Sequence, residues 1–507
     1  MNGVLSVVDN VAAVGDVVIS GFNGSTLLVD SLLLQDNLVG GSMVVSGFNN
    51  AIIASSDNVA ISNNQVGEGS LVISGFYNST LNCGNYWQIN RNVLNGSGDM
   101  VVSGFENATI SSEEDMEIND NSIQNGGMIV SGFNDAVLNT GDLWQISFNS
   151  VDGGDMVVSG FENATISSEE DMEIYDNTIT NGAMIISGFI DSVLTTGDYW
   201  EIQSNRIDGG DLVISGFENA IISSEDDMEI NDNSIQNGNM IVSGFDNSVY
   251  TTGDSWQIYY NSVDGGDLVV SGFENATISS EDDIEIHDNN IQNGSMIISG
   301  FNDSVLNTND YWQINSNHID GGDLVISGFE NATISSEDDM EINDNNIQNG
   351  AMIISGFTDS VLTTSDNWQI YWNSVDGGDL VVSGYLNTAI TCSLSFEVAE
   401  NEIPNGSMMI SGFNDTVIAS GGPWLMVNNT MGGGYLVMSG YQNAHITAVA
   451  GSGSEGIGFQ IAGNVCDSSY LLLPGFVNAV LNGTAVANGE NAVETNIMSL
   501  SGPCELS

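Results

Sequence analysis

Ten carboxylates recur at one spacing: Glu114, Asp142, Glu170, Asp198, Asp226, Asp254, Asp282, Asp310, Asp338 and Asp366, a constant step of 28 in the numbering. A second set, Asp155, Asp211, Asp267, Asp323 and Asp379, recurs at twice that step. Carboxylates at regular intervals are ligands for a hard cation, and Ca²⁺ takes oxygen ligands at about 2.3–2.6 Å. If side chains one step apart lie above one another, neighbouring acids are about 4.8 Å apart. Ca²⁺ would then bridge them, helped by Asn side chains and turn carbonyls. Without a counter-ion such a column repels itself, by roughly 1 kcal/mol per adjacent pair in bulk water and by several at an effective dielectric near 20. The plainer reading is a solvated acidic face screened by salt, with Asp favoured at turns for backbone reasons.

The chain supplies almost no countercharge of its own. Its 507 residues include 67 Asp and Glu but only two cations, Arg91 and Arg206, for a net charge of −65. No basic patch can be built from two arginines, which excludes direct electrostatic binding to nucleic acid or anionic lipid. No run of about 18 apolar residues appears, so membrane insertion by a helix is not expected. No signal-peptide pattern opens the chain, which reads as a mature or truncated form. His287, His318 and His445 share no column and no repeated acidic partner. No Ser is singled out as a nucleophile, so no catalytic residue and no catalytic cofactor are expected.

The elements that would position these acids come from repetition. A Ser-Gly-aromatic triplet begins at Ser20 and recurs through Ser439, with the same step as the acids from Ser103 onward. Degenerate copies follow at Pro474-Gly475-Phe476 and Ser501-Gly502-Pro503, eighteen in all. Two repeat types alternate, so that the full pattern returns after two repeats: "GGDLVISGFENATISSEDDMEINDNNIQN" and "GGMIVSGFNDAVLNTGDLWQISFNSVD". Each splits into three short β-type runs, punctuated by Asn-Gly, Glu-Asn and Asp-Gly-Gly. The third run is read as continuous from Trp144 to Val151.

Three strands per repeat suit one coil of a parallel β-solenoid, and eighteen coils at about 4.8 Å give a rod of roughly 85 Å. Leucine-rich repeats are disfavoured because no 3.6-residue pattern is present, and a propeller because both halves of the double repeat carry the same triplet. In the solenoid Asn121, Asn149, Asn177, Asn205, Asn233, Asn261, Asn289, Asn317, Asn345, Asn373, Asn401 and Asn429 form a ladder of stacked amides at a corner that needs a left-handed bend. The triplet phenylalanines and an alternating Met/Trp column (Met116, Trp144, Met172, Trp200) read as interior stacks.

On phrases such as "IQNGGMIVSGF" and "WQISFNSVDGGDMVVSGF" the chain resembles right-handed parallel β-helix proteins, those of the pectin-lyase-like superfamily and β-helical surface and adhesin proteins. The resemblance covers nearly the whole chain and implies an all-β fold. It says little about activity. The enzymes of that superfamily that act on polyuronates rely on Arg or Lys with Asp clusters, and two arginines four coils apart cannot build such a site.

A regular solenoid is expected over residues 1–447, and degenerate coils with an insertion, "AVAGSGSEGIG", over 448–507. Cys83 and Cys392 fall in one column about 53 Å apart and cannot pair. Cys466 and Cys504 form the possible disulfide. Among many Asn-x-Ser/Thr acceptors, Asn107, Asn163, Asn275 and Asn331 share one turn and are the candidates for N-glycans in an extracellular or cell-surface protein. The chain stops close to the phase at which it starts, so copies stacked head to tail would continue the coil. The expected function is a non-catalytic extracellular structural protein whose solenoid assembles into surface or matrix filaments. The alternatives are a Ca²⁺-dependent adhesin or glycan binder and, more remotely, a polysaccharide-active enzyme.

Overall fold

Apolar and polar residues alternate along short β-branched runs, so each run has one face for a core and one for water. In the computed structural model these runs are, among the described residues, strands paired in parallel with their counterparts one repeat away. The structure describes residues 3–448 and the strands within 459–466, 470–472, 476–477, 480–483, 497–501 and 505–506. It is an all-β parallel solenoid of about 16 turns of about 28 residues. That is fewer than the expected eighteen. Part of each of the last two triplets lies outside the described residues. No helix among the described residues is long and apolar enough to cross a membrane.

The chain divides into two compact units, Met1–Gly253 and Asp254–Ser507. A coil of the first unit shows the plan of both. Met100–Glu106, Thr109–Ser112, Met116–Asn119 and Ser122–Gln124 are its strands. There are thus four strands per coil rather than three. The expected third run breaks at the Asn corner, as between Trp144–Ser147 and Ser150–Asp152. The residue that turns left-handed there is not the ladder Asn but the one before it: Asp120 at φ 55°, Phe148 at 55° and Asp176 at 52°.

The interior is built of like-on-like columns. In the first unit the triplet rings from Phe22 to Phe245 stack with centroids 4.6–5.0 Å apart. In the second unit Phe301, Phe329, Phe357, Tyr385 and Phe413 repeat the arrangement at 4.7–4.9 Å. Trp87, Met116, Trp144, Met172, Trp200 and Met228 are buried in register. Wide and flexible side chains alternate there and leave voids of only about 20 Å³. Packing fails at the first coils. The same column there is Leu5, Leu32 and Val59, and an apolar cavity of about 360 Å³ opens among Leu5, Val18, Phe22, Leu27, Leu32 and Phe48.

Candidate functional site: the acidic columns

The ladder asparagines set the corner beside the acids. Within the first unit the backbone N–H of Asn121 donates to Oδ1 of Asn149 at 3.1 Å, and its Nδ2 donates to the same atom at 3.0 Å. That Nδ2 also reaches the carbonyl of Ile89 at 2.8 Å. The pattern repeats at Asn149, Asn177 and Asn205, and in the second unit from Asn261 through Asn429 to Asn464. These amides are buried and act as structure.

The ten-membered acidic set is a geometric column in each unit. The backbone N–H of Asp142 donates to the carbonyl of Glu114 at 3.3 Å, Glu170 to Asp142 at 3.2 Å, Asp198 to Glu170 at 3.1 Å and Asp226 to Asp198 at 3.2 Å. In the second unit Asp282, Asp310, Asp338 and Asp366 follow Asp254 in the same way, at 3.0–3.2 Å. A buried hydroxyl of the next coil holds the same carbonyl, as Ser168 does for Asp142 and Thr364 for Asp338. The carboxylates face water, exposed or half-exposed. Asp142 above all holds Glu170 above the usual carboxylate range, as like charges on adjacent coils must.

The second acidic set does different work. Asp155 Oδ1 accepts the backbone N–H of Ala183 at 2.8 Å, and Asp211 that of Asn239 at 2.7 Å. In the second unit Asp267, Asp323 and Asp379 accept from Ser295, Ala351 and Ser407 at 2.7–2.8 Å. These carboxylates cap turn amides of the following coil, as Asp does in turns generally.

Two further acidic columns escaped the sequence reading. Asp115, Asp171, Asp283 and Asp339 accept backbone N–H groups of the next coil at 2.7–3.1 Å, and burial raises their pKa. Glu117, Glu173, Glu201, Glu285 and Glu341 lie half-buried or buried on an outward strand face. Burial pushes Glu173 up to about 7. Burial also raises Glu201, with Glu229 and Glu173 on the coils beside it. Their signal was present as Glu/Gln at a fixed strand position, but strand-face Glu is ordinary and drew no inference.

Within any one column a coil contributes a single acid. Among the described residues no group of three or more His, Cys, Asp or Glu side chains is placed to hold one metal ion. Asn107, Asn163, Asn275 and Asn331 are exposed at left-handed corners, φ 51–53°. Cys83 and Cys392 are buried free thiols, raised by that burial to about 12 and about 11. Cys504, one half of the expected disulfide, lies outside the described residues, as does nearly all of the 448–458 insertion. No protein-family model, no curated protein and no solved structure matches the chain.

Proposed function

We propose that the chain is a non-catalytic extracellular structural protein whose coils assemble end to end, copy upon copy, into surface or matrix filaments. The observation that carries this reading is the in-register parallel pairing of every described coil with the next, a pattern that a further copy can continue. Leu5–Val8 pairs in parallel with Leu32–Gln35 and, among the described residues, with no other strand. Val4, Val18 and Leu28 of the same coil are exposed, and the apolar cavity lined by Leu5, Val18 and Leu27 opens there. An unpaired backbone edge over open apolar interior takes another coil readily. The exposed Asn107, Asn163, Asn275 and Asn331 corners support a compartment in which N-glycans are added. Kinship with pectin-lyase-like and β-helical adhesin proteins belongs to this proposal, supported by the stacked Asn corner.

Light scattering and electron microscopy across a wide concentration range test the assembly. Filaments are expected, and Val18→Lys with Leu28→Lys should leave single particles. A monodisperse monomer at every concentration would overturn it.

The outward carboxylate column supports a second reading, a Ca²⁺-dependent adhesive surface in which Ca²⁺ bridges carboxylates of neighbouring coils. An unchanged melting temperature on adding EDTA to calcium-loaded protein would sink that reading.

A further inference from the structure

Three aromatic side chains stand where the fold gives them little to bury against. Phe148, Tyr260 and Trp372 occupy the corner position before the ladder Asn, each four repeats from the next. They are 50%, 55% and 54% exposed, and their φ angles are 55°, 53° and 54°. Asp120, Asp176, Asp232, Asp288 and Asp344 hold this corner on alternate coils, and Ser204 and Ser316 on two of the others. Asp tolerates the left-handed region through local hydrogen bonds, whereas a large ring there is strained. Strain without burial is not explained by folding stability, and it points to use.

The surroundings name the use. Trp372 stands on the coil between Asp344 and Glu400, and its indole N–H donates to the Glu400 carboxylate at 2.5 Å. Tyr371 braces it edge-on at 4.8 Å. Tyr371 in turn donates its hydroxyl to Oε1 of Glu341 at 3.1 Å, and Glu341 is only 8% exposed. Tyr260 is braced by Tyr259 at 5.2 Å and His287 at 6.0 Å, and Nδ1 of His287 lies 3.0 Å from the Asp288 carboxylate. Phe148 is braced by Tyr175 at 5.1 Å, with Asp120 and Asp176 on the coils to either side. In each case a half-open ring has carboxylates one coil away.

A ring attracts a cation through its quadrupole, and neighbouring carboxylates neutralise it. We propose that these corners are docking positions for arginine side chains of a basic polypeptide partner. Guanidinium stacks on a ring and bonds a carboxylate with the same planar group, which ammonium cannot do. The net charge of −65 steers such a partner to the surface. Within the second unit Tyr260 and Trp372 are four coils apart, about 19 Å, the reach of about six extended residues.

The test uses the full chain and three probes at about 0.15 M salt: nona-arginine, nona-lysine and the neutral sugar cellohexaose. Phe148→Asn, Tyr260→Asn and Trp372→Asn are combined in one variant, because Asn removes the ring, keeps the charge and suits the corner. Nona-arginine affinity should fall about five-fold or more and nona-lysine affinity less, with no drop in melting temperature. Trp372 is the exposed one of eight tryptophans, the other seven being buried. The fluorescence change on adding nona-arginine should therefore vanish in Trp372→Asn. Asp344→Asn with Glu400→Gln should weaken nona-arginine binding with the rings intact. Unchanged nona-arginine affinity in the triple variant would overturn the proposal and leave charge alone. Cellohexaose binding that is lost in the triple variant while nona-arginine binding persists would overturn it in favour of a sugar platform. Neither readout depends on filament formation.

Discussion

The backbone N–H and the side-chain amide of Asn121 donate to one oxygen, Oδ1 of Asn149, at 3.1 and 3.0 Å. The acceptor is buried, so neither donor has water to turn to. Asn149→Ala should orphan both donors at about 1–3 kcal/mol each and lower stability by about 3–5 kcal/mol. Urea denaturation followed by circular dichroism measures it. A loss below about 1 kcal/mol would show that the corner relaxes around the gap.

Two acids close in the sequence should respond in opposite directions. Asp211 Oδ1 accepts the N–H of Asn239 at 2.7 Å and its Nδ2 at 3.1 Å. Asp211→Ala should therefore cost about 1–2 kcal/mol. Asp198 sits in the outward column between Glu170 and Asp226, where Asp198→Asn removes repulsion. That change should stabilise by about 0.5 kcal/mol at low salt, and the gain should fade as salt rises. Melting temperatures of both variants over a salt series decide it.

Acid should stabilise this protein over a range where it weakens many others. Burial raises Glu173 to about 7 and also lifts Glu117 and Glu341 above their ordinary value of 4.5. Between that unfolded value and the folded one, the native state holds more protons than the unfolded state. The stability these groups contribute is therefore fully present below about pH 4.5, and the share from Glu173 is lost as pH rises through about 7. Release of repulsion among 67 acids acts in the same direction. The melting temperature should climb as pH falls from 8 toward 5, and Glu173→Gln should flatten the climb.

The first coils should accept a larger core residue. Val59 occupies the column that holds Trp87 and Met116 on later coils, and it lines the cavity of about 360 Å³. Val59→Met should raise stability by about 1 kcal/mol by filling part of that space. Calorimetry reads the shift, and Val270→Met, at a fully buried position of the second unit, is the control expected to destabilise.

What was legible in the chain was whatever repeats strictly. A constant step places Asn on Asn, Phe on Phe and acid on acid, so the columns follow from arithmetic once the coil is recognised. The finer geometry did not follow. The break between Ser147 and Ser150 depends on a left-handed residue that can be Asp, Ser, Phe or Trp, so no residue type announces it. Asp211 and Asp198 are both simply Asp in the sequence, and only the reach to the Asn239 amide separates a capping group from a repelling one. Phe148, Tyr260 and Trp372 were missed for the opposite reason. They interrupt a column, and a search for what recurs on every coil passes over what recurs on every fourth.

The backbone bonds that join one coil to the next, such as Ser122 N–H to Asn92 carbonyl at 2.9 Å and Ser150 to Asn121 at 2.8 Å, run along the direction in which coils stack. A pull along that direction loads few bonds at a time, those of the outermost coil. Mechanical failure should be a peeling, one turn per event, with each event releasing roughly 90–100 Å of contour for a turn of about 28 residues. The chain then behaves under tension as a reel that lets out equal lengths, and it dissipates work at each step without losing the coils behind it.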